Sequence, residues 1–273
     1  MARGIILCGH AGIGKRVLVI SALRQFPDIA SNFKKIPIYN SREKLPKEQE
    51  GASWYFRSEG ELNRLSTQRG MVSFQMREGN FQALDLCEFA DAAKEAETIA
   101  FVRILTNVGV SLPERAELQG VDIRSVFISP ISIKDILYLK AEAANDPEKV
   151  KAGIIKLLRK KLQDKKHILR RISADRDINW YMNTGVYTIF DELLLAPFFK
   201  YVLVHPDTIG EGPWSGNQMT ESAEKPFLSF VDILRGREPE HAEKWPDDMF
   251  MSKSRIDQLK RNFRPGGSNR LCI

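Results

Sequence analysis

The chain has 273 residues, of which 43% are hydrophobic and 28% are charged, and its formal net charge is +6 at pH 7. A chain of this length can bury a large core, and this composition is typical of ordinary globular proteins rather than of disordered or membrane chains. Three well-separated cysteines, Cys8, Cys87 and Cys272, fit neither a disulfide framework nor a zinc site. We therefore expect reduced thiols, a cytoplasmic location and no membrane span.

Apolar runs rich in branched residues alternate with longer helical patterns along the chain. The predicted core strands cover residues 4–8, 98–105, 124–129 and 200–205. The predicted helices cover residues 16–25, 135–144, 148–171, 178–196 and 222–235. This alternation is typical of an α/β fold with three layers, in which a mostly parallel sheet has helices on both faces.

A different pattern lies between the first two core strands. Short extended runs at residues 34–39, 52–57, 71–77 and 80–84 are separated by turns, and one helix is predicted at 58–66. Such runs indicate a small antiparallel sheet inserted into the parallel core. An insertion at this point commonly receives a second substrate.

The end of the chain, from Gly236 to Ile273, is rich in polar residues, proline and glycine, so we expect a loosely packed polar and basic extension. Basic residues cluster at 149–171 and at 253–270. Solvated helix faces and basic tails explain such clusters more often than nucleic acid or acidic lipid does. No nucleic-acid-binding module is recognisable, and we do not expect nucleic acid as a partner.

The first predicted strand runs into the pattern G-x-x-x-x-G-K, and a predicted helix follows it. In such a P-loop the glycines let backbone N–H groups face phosphates, the helix N-terminus adds its positive end, and the lysine supplies a mobile charge. We call residues 9–15 the phosphate loop. The residues predicted to bind nucleotide phosphates are Gly9, Gly12, Ile13, Gly14 and Lys15.

The position after Lys15 normally carries Ser or Thr, whose hydroxyl coordinates magnesium. Here it is Arg16, whose guanidinium only donates hydrogen bonds and cannot ligate a metal. Arg16 could contact a phosphate directly, or it could repel the ion that phosphoryl transfer requires. Lys15 and Arg16 are the candidate catalytic residues, and no metal-ligand set is predicted.

With these elements in order, the chain resembles the guanylate kinase family over roughly residues 5–235. The segments that carry the resemblance are residues 5–15, 26–28, 41–42, 48–51, 54–56, 79–81, 126–132 and 201–207. The resemblance implies a P-loop domain at 1–235 with an acceptor-binding insertion at about 34–84 and a helical lid at about 140–176. It also implies ATP as the phosphoryl donor, with magnesium as the metal ion that usually binds with ATP.

In that family two arginines and two tyrosines bind the acceptor phosphate. The second arginine position is Leu45 here, with Lys47 nearby, and one tyrosine position is occupied by tryptophan. The resemblance therefore implies these acceptor-site candidates: Arg42, Lys44, Trp54, Tyr55 and Gln82.

Other positions depart from the family's pattern. The glutamate that reads guanine in the family aligns with Ser73. A hydroxyl cannot accept two hydrogen bonds from guanine N–H groups as a carboxylate can. The acceptor is therefore expected to differ from GMP. The Asp-x-Asp that positions substrate and metal falls near Arg103 and Leu105, and the lid arginines fall near residues 141–144. The lid candidates in a rearranged lid are Arg159, Arg170, Arg171 and Arg176.

Two functions remain open from the sequence. The first is a nucleoside monophosphate kinase-like phosphotransferase that moves phosphate from ATP to a nucleoside monophosphate or another phosphorylated acceptor. The second is a catalytically inactive module of the same fold that binds nucleotide or a protein partner. The intact Gly14-Lys15 pair favours retained nucleotide binding in either case.

Overall fold

A computed structural model gives the fold of the chain and describes residues 3–75, 79–163, 185–205 and 221–250. The strands in these ranges are β1 (Arg3–Gly9), β2 (Phe33–Lys35), β3 (Ile38–Asn40), β4 (Trp54–Phe56), β5 (Met71–Gln75), β6 (Phe81–Asp85), β7 (Ile99–Arg103), β8 (Asp122–Ser129) and β9 (Tyr201–Val204). The α-helices are α1 (Lys15–Gln25), α2 (Pro27–Asn32), α3 (Glu59–Leu65), α4 (Leu86–Lys94), α5 (Thr106–Gly109), α6 (Ile133–Glu142), α7 (Pro147–Gln163), α8 (Val186–Leu193) and α9 (Glu221–Arg235).

The core sheet has the strand order β2-β7-β1-β8-β9 within the described residues, and each neighbouring pair is parallel. Strand β1 lies at its centre. Its residues Ile5 and Leu7 face one hydrophobic cluster, while Ile6 and Cys8 face the other, and all four are fully buried. A strand that is apolar on both faces is what a parallel sheet covered by two helical layers requires.

Helices cover both faces of this sheet. Leu18 of α1, Ile29 of α2 and Phe227 of α9 pack with the first cluster. Helices α4, α7 and α8 contribute to the cluster on the opposite face. The predicted three-layer α/β fold is confirmed. None of the helices in the described ranges is long and apolar enough to cross a membrane.

The small sheet has the order β4-β3-β6-β5 in the described residues, and it corrects two details of the prediction. It is mixed rather than antiparallel, because β3 and β4 run parallel. The predicted run 34–39 is two strands, of which β2 joins the core sheet beside β7. Pro37 separates them, since proline has no N–H to donate to a strand ladder.

Residues 236–250 pack against the core, so the expected loose packing is wrong for this part of the extension. Glu243 pairs with Val202 beside the edge strand β9, and its carboxylate accepts hydrogen bonds from the Ile133 N–H (2.8 Å) and the Trp245 indole (2.7 Å). Trp245 and Met249 are both only 4% exposed. A few buried anchors thus hold a segment whose overall composition is polar.

Several predictions fall on residues outside the described ranges. These include the last part of the predicted helix 148–171 and the first part of the predicted helix 178–196. They also include the loop at 208–218 and residues 251–273, which contain the basic residues of 253–270. Cys272 also lies there, while Cys8 and Cys87 are free thiols.

Candidate functional site

The phosphate loop connects the end of β1 to the start of α1. Gly9, Gly12 and Gly14 have φ angles of +130°, +83° and +89°, which glycine adopts far more readily than other residues. A Cβ on Gly9 would lie 2.8 Å from the carbonyl oxygen of Ile128 in the neighbouring strand. Gly14 is the N-cap of α1, so the unsatisfied N–H groups of the first helical turn belong to the loop.

The Lys15 ammonium lies inside this loop. It donates hydrogen bonds to the carbonyl oxygens of Gly9 and of His10, the latter at 2.7 Å. Burial lowers the pKa of Lys15 to about 8, while the negative charge of Glu192 opposes that shift. Lys15 is therefore largely desolvated but stays hydrogen-bonded to the loop carbonyls. Its ammonium group lies where phosphates would bind.

Glu192 is a member of the site that the sequence pattern did not reveal. It lies on α8, and its carboxylate accepts a 2.8 Å hydrogen bond from the hydroxyl of Thr106, the first residue of α5. Its charge raises the pKa of Lys15. No local motif surrounds Glu192, and only the packing of α8 near the carboxyl edge of the sheet brings it to the loop.

Three further cations lie beside the loop: Arg16, Lys35 and Arg103. We call them the basic cluster. Lys35 ends β2 and Arg103 ends β7, and parallel strands place their carboxyl ends at the same edge of a sheet. Arg103 pairs in register with Leu7 of β1, two residues before the loop begins. Arg16 follows Lys15 in the first turn of α1 and is exposed.

The charges of the basic cluster act on one another. Burial, followed by the charges of Arg103 and Arg16, lowers the pKa of Lys35 to about 8. Burial and then the charge of Arg16 also lower the pKa of Arg103. Lys35 donates a hydrogen bond to the Ser53 hydroxyl. In the part of the chain that the structure describes, no carboxylate forms an ion pair with any member of the basic cluster.

The side chains of the basic cluster do not fit a magnesium ion. Magnesium requires oxygen ligands, and the two positions expected to direct it are Arg16 and Arg103, which only donate hydrogen bonds. Within the described ranges, no group of three or more His, Cys, Asp or Glu side chains could hold a metal. The N–H donors of these three side chains suit an anion.

Arg42 of the predicted acceptor site is already paired. Its two terminal nitrogens donate to both carboxylate oxygens of Glu48 at 2.7 and 2.5 Å, and its guanidinium lies 5.7 Å from the Trp54 ring and 5.2 Å from the Phe56 ring. The Leu45 N–H donates to the same carboxylate. These bonds, led by those from Arg42, lower the pKa of Glu48 to about 2.

A second arginine of the small sheet has the same kind of environment. Arg57 donates to Glu50 at 2.8 Å and lies over the rings of Tyr39 and Tyr55, which are tilted by 39° to each other with centroids 4.9 Å apart. Arg57 was not among the predicted site residues. Its aromatic and acidic neighbours repeat the pattern around Arg42.

The remaining predicted residues lie at separate places. Lys44 is exposed in the connection before β4, and Gln82 is buried on β6 opposite Asn40. Ser73 lies on β5. Arg159 is half-buried on α7, whose Leu158 belongs to the hydrophobic core. The other lid candidates, Arg170, Arg171 and Arg176, lie outside the described residues.

Comparison with known proteins supports no assignment by sequence, since no family model and no curated protein matches the chain. Among solved structures, the guanylate kinase from Anaplasma phagocytophilum is similar, with a TM-score of 0.45 and 14% sequence identity over 86% of this chain and 85% of that chain. Similarity of this degree does not establish family membership.

Proposed function

We propose that the protein binds ATP through its phosphate loop. The observation that carries the proposal is the loop geometry: three glycines with positive φ turn the backbone between a buried strand and a helix N-terminus, and the Lys15 ammonium lies inside the turn. Backbone N–H groups, a helix dipole and a lysine charge directed at one small volume are the groups that bind nucleotide phosphates.

We further propose that the bound ATP donates phosphate to a nucleoside monophosphate or another phosphorylated acceptor near the small sheet. Arg42 is the acceptor-binding candidate with the most defined surroundings, between Trp54 and Phe56. An acceptor phosphate must then compete with Glu48 for Arg42, because that carboxylate accepts one hydrogen bond from each terminal nitrogen of the guanidinium. Such competition weakens acceptor binding and favours dianionic acceptors over singly charged ones.

The second candidate function is nucleotide binding without phosphoryl transfer. The observation that favours it is the chemistry of the two metal-directing positions, Arg16 and Arg103. Phosphoryl transfer depends on cations that neutralise developing charge between donor and acceptor, and P-loop enzymes use magnesium for this purpose.

Calorimetric titration with ATP tests the binding proposal. We expect wild-type protein to bind ATP and the Lys15→Ala variant to lose at least about 2 kcal/mol of binding free energy, as expected for removal of a buried charge that contacts phosphate. Lys94→Ala, which removes an exposed lysine at the end of α4, is the matched control and should bind ATP like the wild type. Equal affinity in wild type and Lys15→Ala would contradict the proposal.

A coupled assay of ADP formation separates the two candidate functions. The panel contains nucleoside monophosphates and small phosphorylated acceptors, each supplied with ATP. Turnover that requires both an acceptor and Lys15 supports the phosphotransferase. ATP binding without turnover on any acceptor supports the non-catalytic module.

A further inference from the structure

The basic cluster is the strongest feature that nucleotide binding through the phosphate loop leaves unexplained. Its members come from three separate elements, since Lys35 ends β2, Arg103 ends β7 and Arg16 opens α1. The bond from Lys35 to Ser53, just before β4, places the cluster between the phosphate loop and the small sheet. A terminal phosphate that extends from the loop toward the small sheet would meet these cations.

The arrangement is unfavourable for folding by itself. Lys35 and Arg103 are half-buried, and the cations repel one another without an ion-pair partner among the described residues. Arg16 also lies at the positive end of α1, whose first turn has no acidic residue. Half-buried like charges cost free energy unless an anion binds between them.

We propose that the basic cluster binds the terminal phosphate of ATP without a magnesium ion and that this chain therefore prefers metal-free ATP. The inference rests on the proposed function, because it assigns a ligand form to the same site. Metal-free ATP carries more negative charge than its magnesium complex, and three cations neutralise that charge directly. A magnesium ion brought to the same place meets like charges and guanidinium groups that cannot ligate it.

Calorimetry in EDTA and in excess magnesium tests this preference. Wild-type protein is expected to bind ATP in EDTA at least as tightly as in magnesium. Arg103→Gln and Lys35→Gln should each weaken binding in EDTA by about tenfold to a hundredfold, the range for losing a hydrogen bond to a charged group. Arg64→Gln removes the same charge from an exposed site on α3 and should leave the affinity unchanged.

Thermal melting tests whether the variants fold. Arg103→Gln and Lys35→Gln remove repulsion, so both should melt at or above the temperature of the wild type. ATP binding that requires magnesium, or equal affinities in EDTA for Arg103→Gln, Lys35→Gln and Arg64→Gln, would overturn the inference.

Inorganic tripolyphosphate separates failure of this inference from failure of nucleotide binding. Binding of ATP only with magnesium, lost in Lys15→Ala, overturns the inference and leaves the proposed function standing. Binding of tripolyphosphate in EDTA without binding of ATP supports the phosphate site and overturns nucleotide recognition. Binding of neither ligand overturns both.

Discussion

The phosphate-loop edge and the small sheet both carry cations, but in opposite environments. In the small sheet, Arg42 pairs with Glu48 and Arg57 pairs with Glu50, and both guanidinium groups lie over aromatic rings. At the loop edge, Lys35 and Arg103 have cationic neighbours. An arginine whose charge is neutralised within the chain stabilises the fold, whereas a group of unneutralised cations is available to an external anion.

The two regions therefore differ in the cations that they leave available to a phosphate. The resemblance to guanylate kinase directs attention to Arg42, but its guanidinium is already engaged by Glu48. By the same resemblance, Arg103 stands where the family has an aspartate that positions the metal. The structure places that residue beside Lys35 and the phosphate loop, where its positive charge favours phosphate.

The largest expected difference between the two regions concerns their backbones. Gly9→Ala should destabilise the protein by about 3 kcal/mol or more, because the added Cβ meets the Ile128 carbonyl and the φ angle is strained. Gly79→Ala, near the small sheet, should cost about 1 kcal/mol, since only its positive φ is strained. Urea unfolding of the two variants measures the difference. Equal losses would show that the loop backbone is not tightly held by β8.

The pH dependence of binding should also separate the two regions. Burial lowers the pKa values of Lys15 and Lys35 to about 8, and the proposed phosphate contacts require their ammonium forms. ATP affinity in EDTA should therefore be full below about pH 8 and fall by about tenfold per lysine for each pH unit above it. Lys35→Arg keeps the charge and should reduce the slope. Calorimetry over this pH range measures the ATP dissociation constant. A dissociation constant that does not change from about pH 7.5 to about 9.5 would contradict this account.

Replacing Arg16 tests the exposed member of the basic cluster. Arg16→Thr restores a hydroxyl at the usual magnesium-ligand position, so ATP binding should become more magnesium-dependent by about threefold to tenfold, a modest change because Arg16 is exposed and screened. Arg24→Thr makes the same replacement at the exposed end of α1. The ratio of affinities with and without magnesium is the measured quantity, and identical ratios in the two variants would remove Arg16 from the site.

The smallest expected effect on stability comes from the Arg42–Glu48 pair. Glu48→Gln should cost less than about 1 kcal/mol at pH 7, since both side chains are about one-quarter exposed, at 26% and 24%. The pKa of Glu48 is depressed to about 2, so the contribution of the pair is present above about pH 4.3 and is lost as the pH falls toward 2.

The same variant should free Arg42 for anions. Binding of a nucleoside monophosphate near the small sheet should therefore become tighter in Glu48→Gln, whereas Glu50→Gln, which frees Arg57 instead, is the matched comparison. Unchanged binding in Glu48→Gln would mean that Arg42 is not an acceptor ligand.

Local patterns predicted the features that depend on neighbouring residues. The phosphate loop and its helix are contiguous in sequence, and the apolar run of β1 is buried on both faces, so both were predictable. The division of the run 34–39 had a local signal in Pro37. The parallel pairing of β3 with β4 had none, because strand direction depends on the path of the intervening chain.

The basic cluster and Glu192 could not be assembled from the sequence. Lys35 lies in a short strand whose sequence pattern is like that of the strands in the small sheet. Only the pairing of Lys35 with Phe101 in the core sheet brings it beside the phosphate loop. Glu192 approaches Lys15 because α8 packs near α5. Glu243 and Trp245 anchor the extension through contacts with residues that are distant in the sequence. The polar composition of the extension therefore did not predict that it packs against the core.

A crystal structure of the protein with a non-hydrolysable ATP analogue, grown in EDTA, tests the central claim most directly. We predict that the Lys15 ammonium contacts phosphate oxygens and that Arg103 and Lys35 contact the terminal phosphate, while Arg42 remains paired with Glu48. Phosphates bound at Arg42, with Lys15, Lys35 and Arg103 making no contact to the nucleotide, would contradict the account.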